Sequence, residues 1–438
     1  MKLGRLRRWT PKKRRRARKK ANAALRKRRE TIEDSRDRQD SEFAGLLPML
    51  HYSEEEFELR DRFEECLDMR KGRTAVYQPE DEAMAVIGRL MAGISRREHL
   101  DELVPEMLLA EALGIPKWPS GDTERRFLVR ANETTVRGVD GILRDLAIDQ
   151  GLDYKPYTVH VAGDLSGLRS QARQREGVKV GYMGGPIKPG YQTMRVSVNG
   201  MPAWTDLRAG NDGCVDLPDR SLEICRQVRR KLPKSRIHLG LDSGFGNSRQ
   251  LCKVQAMCQT DRQLHYFVGG SSQYAPQWWE QIVLPACKNR RWDRISKTTE
   301  ILELGWQKPW GNETDRMRVV ATRRKEWGKG RKRKYQIRVI YTDVSEQDRT
   351  ARWVFGEYHE RQRVEADIKD GKQSFRLKDL PVKELIGNRL YVKMTAIAQG
   401  MTRLYVREFE RYRGPNKWGP QSKTVRRNLF KVAGEKTG

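Results

Sequence analysis

The segment Ile237-His-Leu-Gly-Leu-Asp-Ser-Gly-Phe-Gly246 decides the fold of this chain. Its first five residues form a short apolar run that is typical of a strand, and the run ends at Asp242 in a turn of small residues. A helix is predicted over 247–258, and another apolar strand follows at 265–268. A strand, a helix and a second strand at this spacing indicate an α/β sheet.

The residues before this segment add an antiparallel part to the sheet. The stretch 194–205 is predicted to be a hairpin, because its centre is Asn199-Gly200, the strongest short signal for a two-residue turn. The alternating stretch 157–161 is predicted to be a strand, and a helix fits 217–232. The full order is three strands, a helix, a strand, a helix and a strand. The predicted fold class is therefore α/β, with a mixed sheet.

Two aspartates stand where predicted strands end. Asp164 follows the strand at 157–161 in the turn Gly163-Asp-Leu-Ser-Gly167, and Asp242 follows the strand at 237–241. Carboxylates that meet at one end of a sheet repel each other unless a cation lies between them. Mg²⁺ or Mn²⁺ suits such oxygen ligands, particularly together with substrate phosphates. For either aspartate alone, the alternative is an ordinary turn-forming side chain.

The charge of the chain points to a polyanionic partner. Its 438 residues contain 88 Lys and Arg against 58 Asp and Glu, a net charge of +30. Nucleic acid is the first candidate for such a surface. Apolar residues make up 37% of the chain, enough for a core, and no run of 18 apolar residues or apolar leader occurs. We therefore expect neither a membrane segment nor a secretion signal. The expected location is the cytoplasm, in association with the nucleoid.

Half of this charge lies in residues 1–30, which hold sixteen Lys and Arg and one acid. Such a run repels itself, so we predict a disordered basic tail. It is either a phosphate-binding arm or a solubilising tail. Residues 31–150 are predicted to be helical, and Arg125 and Arg126 lie on a helix that follows the turn Trp118-Pro-Ser-Gly121. That pattern suits a helix-turn-helix DNA-binding domain, or equally a plain helical bundle.

The remaining chain is divided by composition. We predict a first part of the α/β core at 151–269, a β-rich insertion at 270–349, and a second part of this core with two helices at 350–412. The last residues, 413–438, are interpreted as a basic tail. The boundaries rest on changes of hydrophobic period and on runs of basic residues.

The segment Tyr358-His-Glu-Arg-Gln-Arg-Val-Glu365 continues to Lys372 and places five functional side chains on one predicted helix face. Tyr358, Arg361, Glu365, Lys369 and Lys372 have offsets of 0, 3, 7, 11 and 14 residues. At about 100° per residue they form one narrow stripe in which Glu365 is the single acid. This pattern favours a site that joins a metal to phosphate oxygens, and the alternative is a solvated surface helix with ion pairs.

These residues carry a resemblance to a known family. The pattern of Tyr358, Arg361, Glu365 and Lys372 resembles the Tyr-Arg-Glu-Lys signature of the cut-and-paste insertion-sequence transposases with an Asp-Asp-Glu catalytic domain. The segments around Asp164 and Asp242 are similar to the first and second acidic motifs of that family. The resemblance extends from about 40 to 410. His160 is the alternative to Asp164, but a lone histidine in a strand is more often a core residue.

The resemblance implies a ribonuclease-H-like fold with a helical DNA-binding domain in front and a β-rich insertion before the glutamate helix. It implies that Asp164, Asp242 and Glu365 hold two Mg²⁺ ions, with Mn²⁺ as a substitute, and that no small-molecule cofactor is used. Tyr358, Arg361 and Lys372 would hold phosphates of transposon-end DNA. The expected partners are the transposon ends and target DNA, with the protein acting as a homodimer or higher oligomer.

Two other functions remain open from sequence. One is a catalytically inactive or domesticated DNA-binding relative, and the other is a basic RNA-associated protein that is not an enzyme. The presence of all three carboxylates and the signature argues against both.

Overall fold

The computed structural model describes residues 40–41, 44–69, 71, 75–94, 107–115, 117–327, 333–413, 422 and 434–435. The basic tail predicted at 1–30 lies outside the described residues. Most of the basic loop at 329–334 and most of the segment 413–438 also lie outside them.

The described residues contain twelve strands, ten of which form one mixed sheet. In chain order they are β1 Asp40–Ser41, β2 Thr158–Arg169, β3 Lys179–Tyr182, β4 Ile187–Val198, β5 Met201–Ala209, β6 Arg236–Leu241, β7 Leu264–Gly270, β8 Asp293–Arg294, β9 Thr299–Gln307, β10 Met317–Trp327, β11 Arg333–Thr342 and β12 Gly434–Glu435. The order across the large sheet is β3-β4-β2-β6-β7-β11-β10-β9-β8, with β5 also paired to β4, while β1 and β12 pair with each other.

The centre of the sheet has the predicted mixed character. Strands β2, β6 and β7 are parallel, whereas β4 pairs antiparallel with both β2 and β5. The turn between β4 and β5 is Asn199-Gly200, whose φ angles are 49° and 81°. Positive φ at both positions is what a type I′ hairpin turn requires. The α/β fold and the hairpin are confirmed, and this order agrees with a ribonuclease-H-like sheet.

Asp164 does not lie at the end of its strand, as the sequence predicted. Strand β2 continues through it to Arg169, because the antiparallel partner β4 pairs with β2 as far as that residue. The parallel partner is shorter, and its last pair is Leu241 with Gly163. Asp164 and Asp242 therefore each come one residue after the last parallel pair, and the two remain neighbours.

The strands of the stretch 270–349 continue the same sheet. β9, β10 and β11 form an antiparallel meander, and β11 pairs antiparallel with β7. Trp278 and Trp310 pack into its core. The ring centres of Trp278 and Trp310 lie 6.3 Å and 5.6 Å from that of Tyr341, and Tyr341 is fully buried.

Thirteen α-helices are present among the described residues. They are α1 Leu47–Glu55, α2 Leu59–Cys66, α3 Pro79–Ala92, α4 Met107–Ala112, α5 Gly121–Val129, α6 Glu133–Arg144, α7 Leu217–Lys231, α8 Ser248–Thr260, α9 Pro276–Trp278, α10 Leu284–Asn289, α11 Ala351–Glu360, α12 Gln362–Ser374 and α13 Leu385–Arg413. None of these described helices is long and apolar enough to cross a membrane.

The predicted helical region 31–150 contains an interruption near its start. Glu58 has a left-handed backbone with φ of 52° and separates α1 from α2. The second of the two helices predicted within 350–412 is observed as α13, and its central turns are buried on every side. It packs against β5, α3 and α6, so the N-terminal helices and the sheet share one hydrophobic core.

Candidate active site

The parallel strands β2 and β6 bring Asp164 and Asp242 side by side where the pairing of the two strands ends. Asp164 is 8% exposed. Asp242 is half-buried and caps the short 3-10 helix Ser243–Phe245, where its Oδ1 accepts a hydrogen bond of 3.0 Å from the Gly244 amide. The cap fixes the orientation of this carboxylate.

The third carboxylate comes from a helix that is broken once. The helix predicted across this segment is not continuous, because α11 ends at Glu360, α12 begins at Gln362, and Arg361 forms the junction. The Val364 amide donates to the Arg361 carbonyl at 3.0 Å, a bond between residues three apart that tightens the turn. Glu365 lies in the first turn of α12.

Two glycines in the strands make room for this junction. A Cβ atom on Gly240 of β6 would lie 3.1 Å from the Cβ of Arg361. A Cβ atom on Gly269 of β7 would lie 2.6 Å from the Tyr358 hydroxyl, which is too close for any side chain. The helices α11 and α12 can therefore approach the sheet closely at the residues of the predicted signature.

Arg361 connects the carboxylates directly. Its Nη2 lies 2.6 Å from Glu365 Oε1 and its Nη1 lies 3.6 Å from Asp164 Oδ1. Its guanidinium also lies 5.3 Å from the centre of the Tyr358 ring. The sequence assigned Arg361 to phosphates, and the structure places it within reach of two of the three predicted catalytic acids.

Burial dominates the electrostatics of this site. It raises the pKa of Asp164 to about 7, and the neighbouring charges of Asp242 and Glu365 act in the same direction, while Arg361 opposes them. The pKa of Asp242 is also raised by burial, again against the influence of Arg361. The charge of one arginine is thus too small to keep both carboxyls at their ordinary acidity.

The resemblance implies divalent cations here, and the donor set fits them. Asp164, Asp242 and Glu365 offer carboxylate oxygens, the hard ligands that Mg²⁺ and Mn²⁺ prefer. Further positive charge at this point would lower the raised pKa of Asp164 and stabilise its ionised form. The residues present can therefore hold such a cation.

The other predicted DNA-binding residues lie in different settings. Lys372 donates to Ser166 Oγ at 2.5 Å and to the Gly167 carbonyl at 3.0 Å, so it ties α12 to the last residues of β2. Arg125 and Arg126 lie far along the chain on the exposed side of α5, where both pair with Asp122 at 2.9 Å and 2.7 Å. Their side chains are 45% and 68% exposed.

Sequence reasoning missed the residues that hold α12 in place. Asp367 is fully buried and pairs with Arg195 of β4 at 3.3 Å and with Arg403 of α13 at 2.6 Å. It also accepts a hydrogen bond of 2.8 Å from Ser197. The available signal was its place between two apolar residues of the inward face, Val364 and Ile368, where a lone acid needs a partner.

Comparisons with known proteins were informative at the level of the family. The sequence profile of the family described as "Transposase DDE domain group 1" matches residues 40–437. No curated protein sequence matches the chain. Among solved structures, the chain is similar to a piggyBac transposase, determined by cryo-EM as a synaptic complex with hairpin DNA. The two chains share 13% identity with a TM-score of 0.43, over 90% of this chain and 81% of the other.

Proposed function

Because this chain belongs to the family of transposases with a DDE domain, we propose that it is the transposase of an insertion sequence, which binds the terminal inverted repeats and cuts and joins DNA strands at them. The observation that carries the proposal is the contact of Arg361 with both Asp164 and Glu365 at the place where β2 and β6 stop pairing. Asp242 lies at the same place and feels the charge of Arg361. The net charge of +30 supports DNA as the partner.

Asp164, Asp242 and Glu365 would hold two divalent cations. The chemistry that such ions supply is activation of a water or a 3′-hydroxyl and stabilisation of the leaving oxygen during in-line phosphoryl transfer. Asp242 is oriented for this role by its hydrogen bond to the Gly244 amide. Glu365 is oriented by Arg361, which holds its carboxylate at 2.6 Å.

Arg361 would serve two partners in succession. In the protein alone it offsets part of the charge of Asp164 and Glu365. On DNA its planar guanidinium could turn to a phosphate, since an arginine offers five donors in a fork that matches carboxylate and phosphate oxygens alike. The guanidinium stacks over the ring of Tyr358. Lys372 holds α12 against β2 through its hydrogen bond to Ser166.

The proposal is tested by substitutions that keep shape and remove charge. Asp164→Asn, Asp242→Asn and Glu365→Gln should each lower cleavage of a DNA fragment that carries the inverted repeats by at least about 100-fold, the loss typical of one electrostatic stabilising group. Binding to the same fragment in a gel-shift assay should change little.

Glu360→Gln is the matched control, because Glu360 is an acid of the preceding helix that pairs with Arg363 at 2.5 Å. It should cleave like the wild type. Wild-type cleavage by Asp164→Asn, Asp242→Asn or Glu365→Gln would remove that residue from the site. Absence of Mg²⁺- or Mn²⁺-dependent cleavage by the wild-type protein would contradict the proposed function.

A further inference from the structure

Three histidines lie side by side across the parallel strands. His160 of β2 is paired in register with His238 of β6, and His238 is paired with His265 of β7. Residues in register on neighbouring strands project from the same face of a sheet. The ring centres are 5.4 Å apart for the first pair and 6.0 Å for the second.

A carboxylate from α11 covers the first two histidines. Glu357 Oε2 lies 2.7 Å from His238 Nδ1 and 3.6 Å from His160 Nδ1. His265 has a different partner, since its Nδ1 lies 2.9 Å from Asp343 Oδ2. The ladder thus divides into a cluster of His160, His238 and Glu357 and a separate pair of His265 and Asp343.

The cluster has the donor set and the spacing of a transition-metal site. One ligand atom from each of its three residues lies within 4.8 Å of the others. Ligand atoms around a tetrahedral Zn²⁺ are about 3.3 Å apart, since its bonds to nitrogen and oxygen are about 2.0–2.1 Å long. The 2.7 Å contact between Glu357 and His238 would have to open by roughly 0.6 Å to reach this spacing, whereas the 3.6 Å contact between Glu357 and His160 is already close to it.

The surroundings are enclosed but open to entry of an ion. The His238 side chain is 5% exposed, and those of His160 and Glu357 are each 19% exposed. The rings of Phe267 and Trp353 lie 5.3 Å and 5.7 Å from that of His238 and hold it in place. A preorganised imidazole pair with a carboxylate on its exposed side is a built site rather than a surface ion pair.

We propose that His160, His238 and Glu357 bind one transition-metal ion of the Zn²⁺ type at a site separate from the carboxylates Asp164, Asp242 and Glu365. Two imidazoles and one carboxylate select zinc-like ions, whereas Mg²⁺ prefers oxygen ligands alone. Three protein ligands leave a fourth position for water.

Such an ion would fasten the helix that leads into the active site. Glu357 belongs to α11 and lies one turn before Arg361. His160 lies on β2 and His238 on β6, and each comes four residues before an aspartate of the proposed active site. Metal binding would thus join α11 to β2 and β6 and hold the junction at Arg361 against the sheet. The ion has a positioning role and takes no part in the chemical step.

The test uses full-length protein freed of metal with a chelator and then titrated with Co²⁺ in the presence of excess Mg²⁺. Calorimetry and the visible absorption of bound Co²⁺ should show one ion per chain. Glu357→Gln and His160→Ala each remove a metal ligand. They should weaken Co²⁺ binding by more than the roughly 10–100-fold lost when a residue that only contacts a ligand is removed. Glu357→His exchanges one ligand for another and should retain the ion.

Controls separate this site from its neighbours. His265→Gln, a ladder histidine outside the cluster, and Asp242→Asn with Glu365→Gln, in the proposed active site, should bind Co²⁺ like the wild type. The proposal is overturned if wild-type protein binds no Co²⁺ under these conditions. It is equally overturned if Glu357→Gln keeps wild-type affinity while Asp242→Asn loses it, because the ion would then occupy the carboxylates. Neither readout depends on DNA cleavage, so the proposed function can stand or fail by itself.

Discussion

Arg361 has the most unusual environment of any single residue in the site. Its side chain is 10% exposed and lies between a carboxylate of β2 and one of α12, with Tyr358 beneath it. A buried arginine in such a place sets the spacing of the acids as well as their charge. The sequence stripe identified the residue, but its contact with Asp164 joins a helix to strand β2, and periodicity within one helix does not reveal such a contact.

At this scale we expect Arg361→Ala to lower cleavage by about 10- to 100-fold, because a hydrogen bond to a charged group contributes about 1.5–3 kcal/mol. Arg361→Lys should give an intermediate rate, since lysine keeps the charge but cannot reach both carboxylates with one fork. The measurement is the cleavage rate of each variant on intact and on pre-nicked transposon-end DNA. The rate should fall from the wild type to Arg361→Lys and then to Arg361→Ala. Lys369→Ala is the control, because Lys369 is an exposed cation of the same helix; an equal loss in that variant would show that the helix is only a general basic surface.

Among the elements, α12 is held in place by buried polar contacts. Asp367 is enclosed by Arg195 from β4 and Arg403 from α13, and Gln399 donates to the Asp367 carbonyl at 2.8 Å. These contacts hold the inner face of α12 against the sheet while Glu365 remains half-exposed on the outer side. The position of the third carboxylate is therefore set by residues that touch no substrate.

We predict that Asp367→Ala lowers the free energy of unfolding by about 3–5 kcal/mol, because it leaves the fully buried Arg195 without its counter-ion. Urea titration followed by circular dichroism measures this loss. Glu360→Gln breaks an exposed pair on the neighbouring helix and should cost less than about 1 kcal/mol. Similar losses in the two variants would contradict the assignment of Asp367 as the anchor of α12.

The elements also show what the sequence could and could not predict. The hairpin at Asn199-Gly200 was predictable, because its turn residues act locally. The length of β2 was not, because the pairing of Asp164 depends on β4, a strand some thirty residues away in sequence. The close approach of Arg361 and Tyr358 to the sheet likewise depends on Gly240 and Gly269, which lie on other elements.

At the scale of the whole molecule, the helices of 44–150 and the sheet form one packed unit. Helix α13 lies between them, and its Arg389 pairs with Asp206 of β5 at 2.8 Å and also with Glu133 of α6. Lys393, one turn further, pairs with Asp140 of α6 and donates to the Thr205 carbonyl at 2.7 Å. Helix α5, which carries Arg125 and Arg126, also packs against α13.

The net positive charge is divided equally between the first 30 residues and the rest of the chain. Residues 1–30 carry a charge of +15, and residues 31–438 carry the other +15. We assume that about five of the sixteen basic residues in 1–30 contact DNA phosphates. Each contact contributes ~0.9 to the slope of log binding constant against log salt concentration, so deleting this segment should reduce that slope by ~4–5. Affinity for inverted-repeat DNA and for random DNA should fall together, because phosphate contacts carry no sequence information.

A tail of equal length made of Gly and Ser should behave like the deletion, which would separate the effect of charge from that of length. Fluorescence anisotropy over a range of salt concentrations measures the slopes. A loss confined to inverted-repeat DNA would mean that the segment reads sequence and that the charge of the folded part alone accounts for general binding.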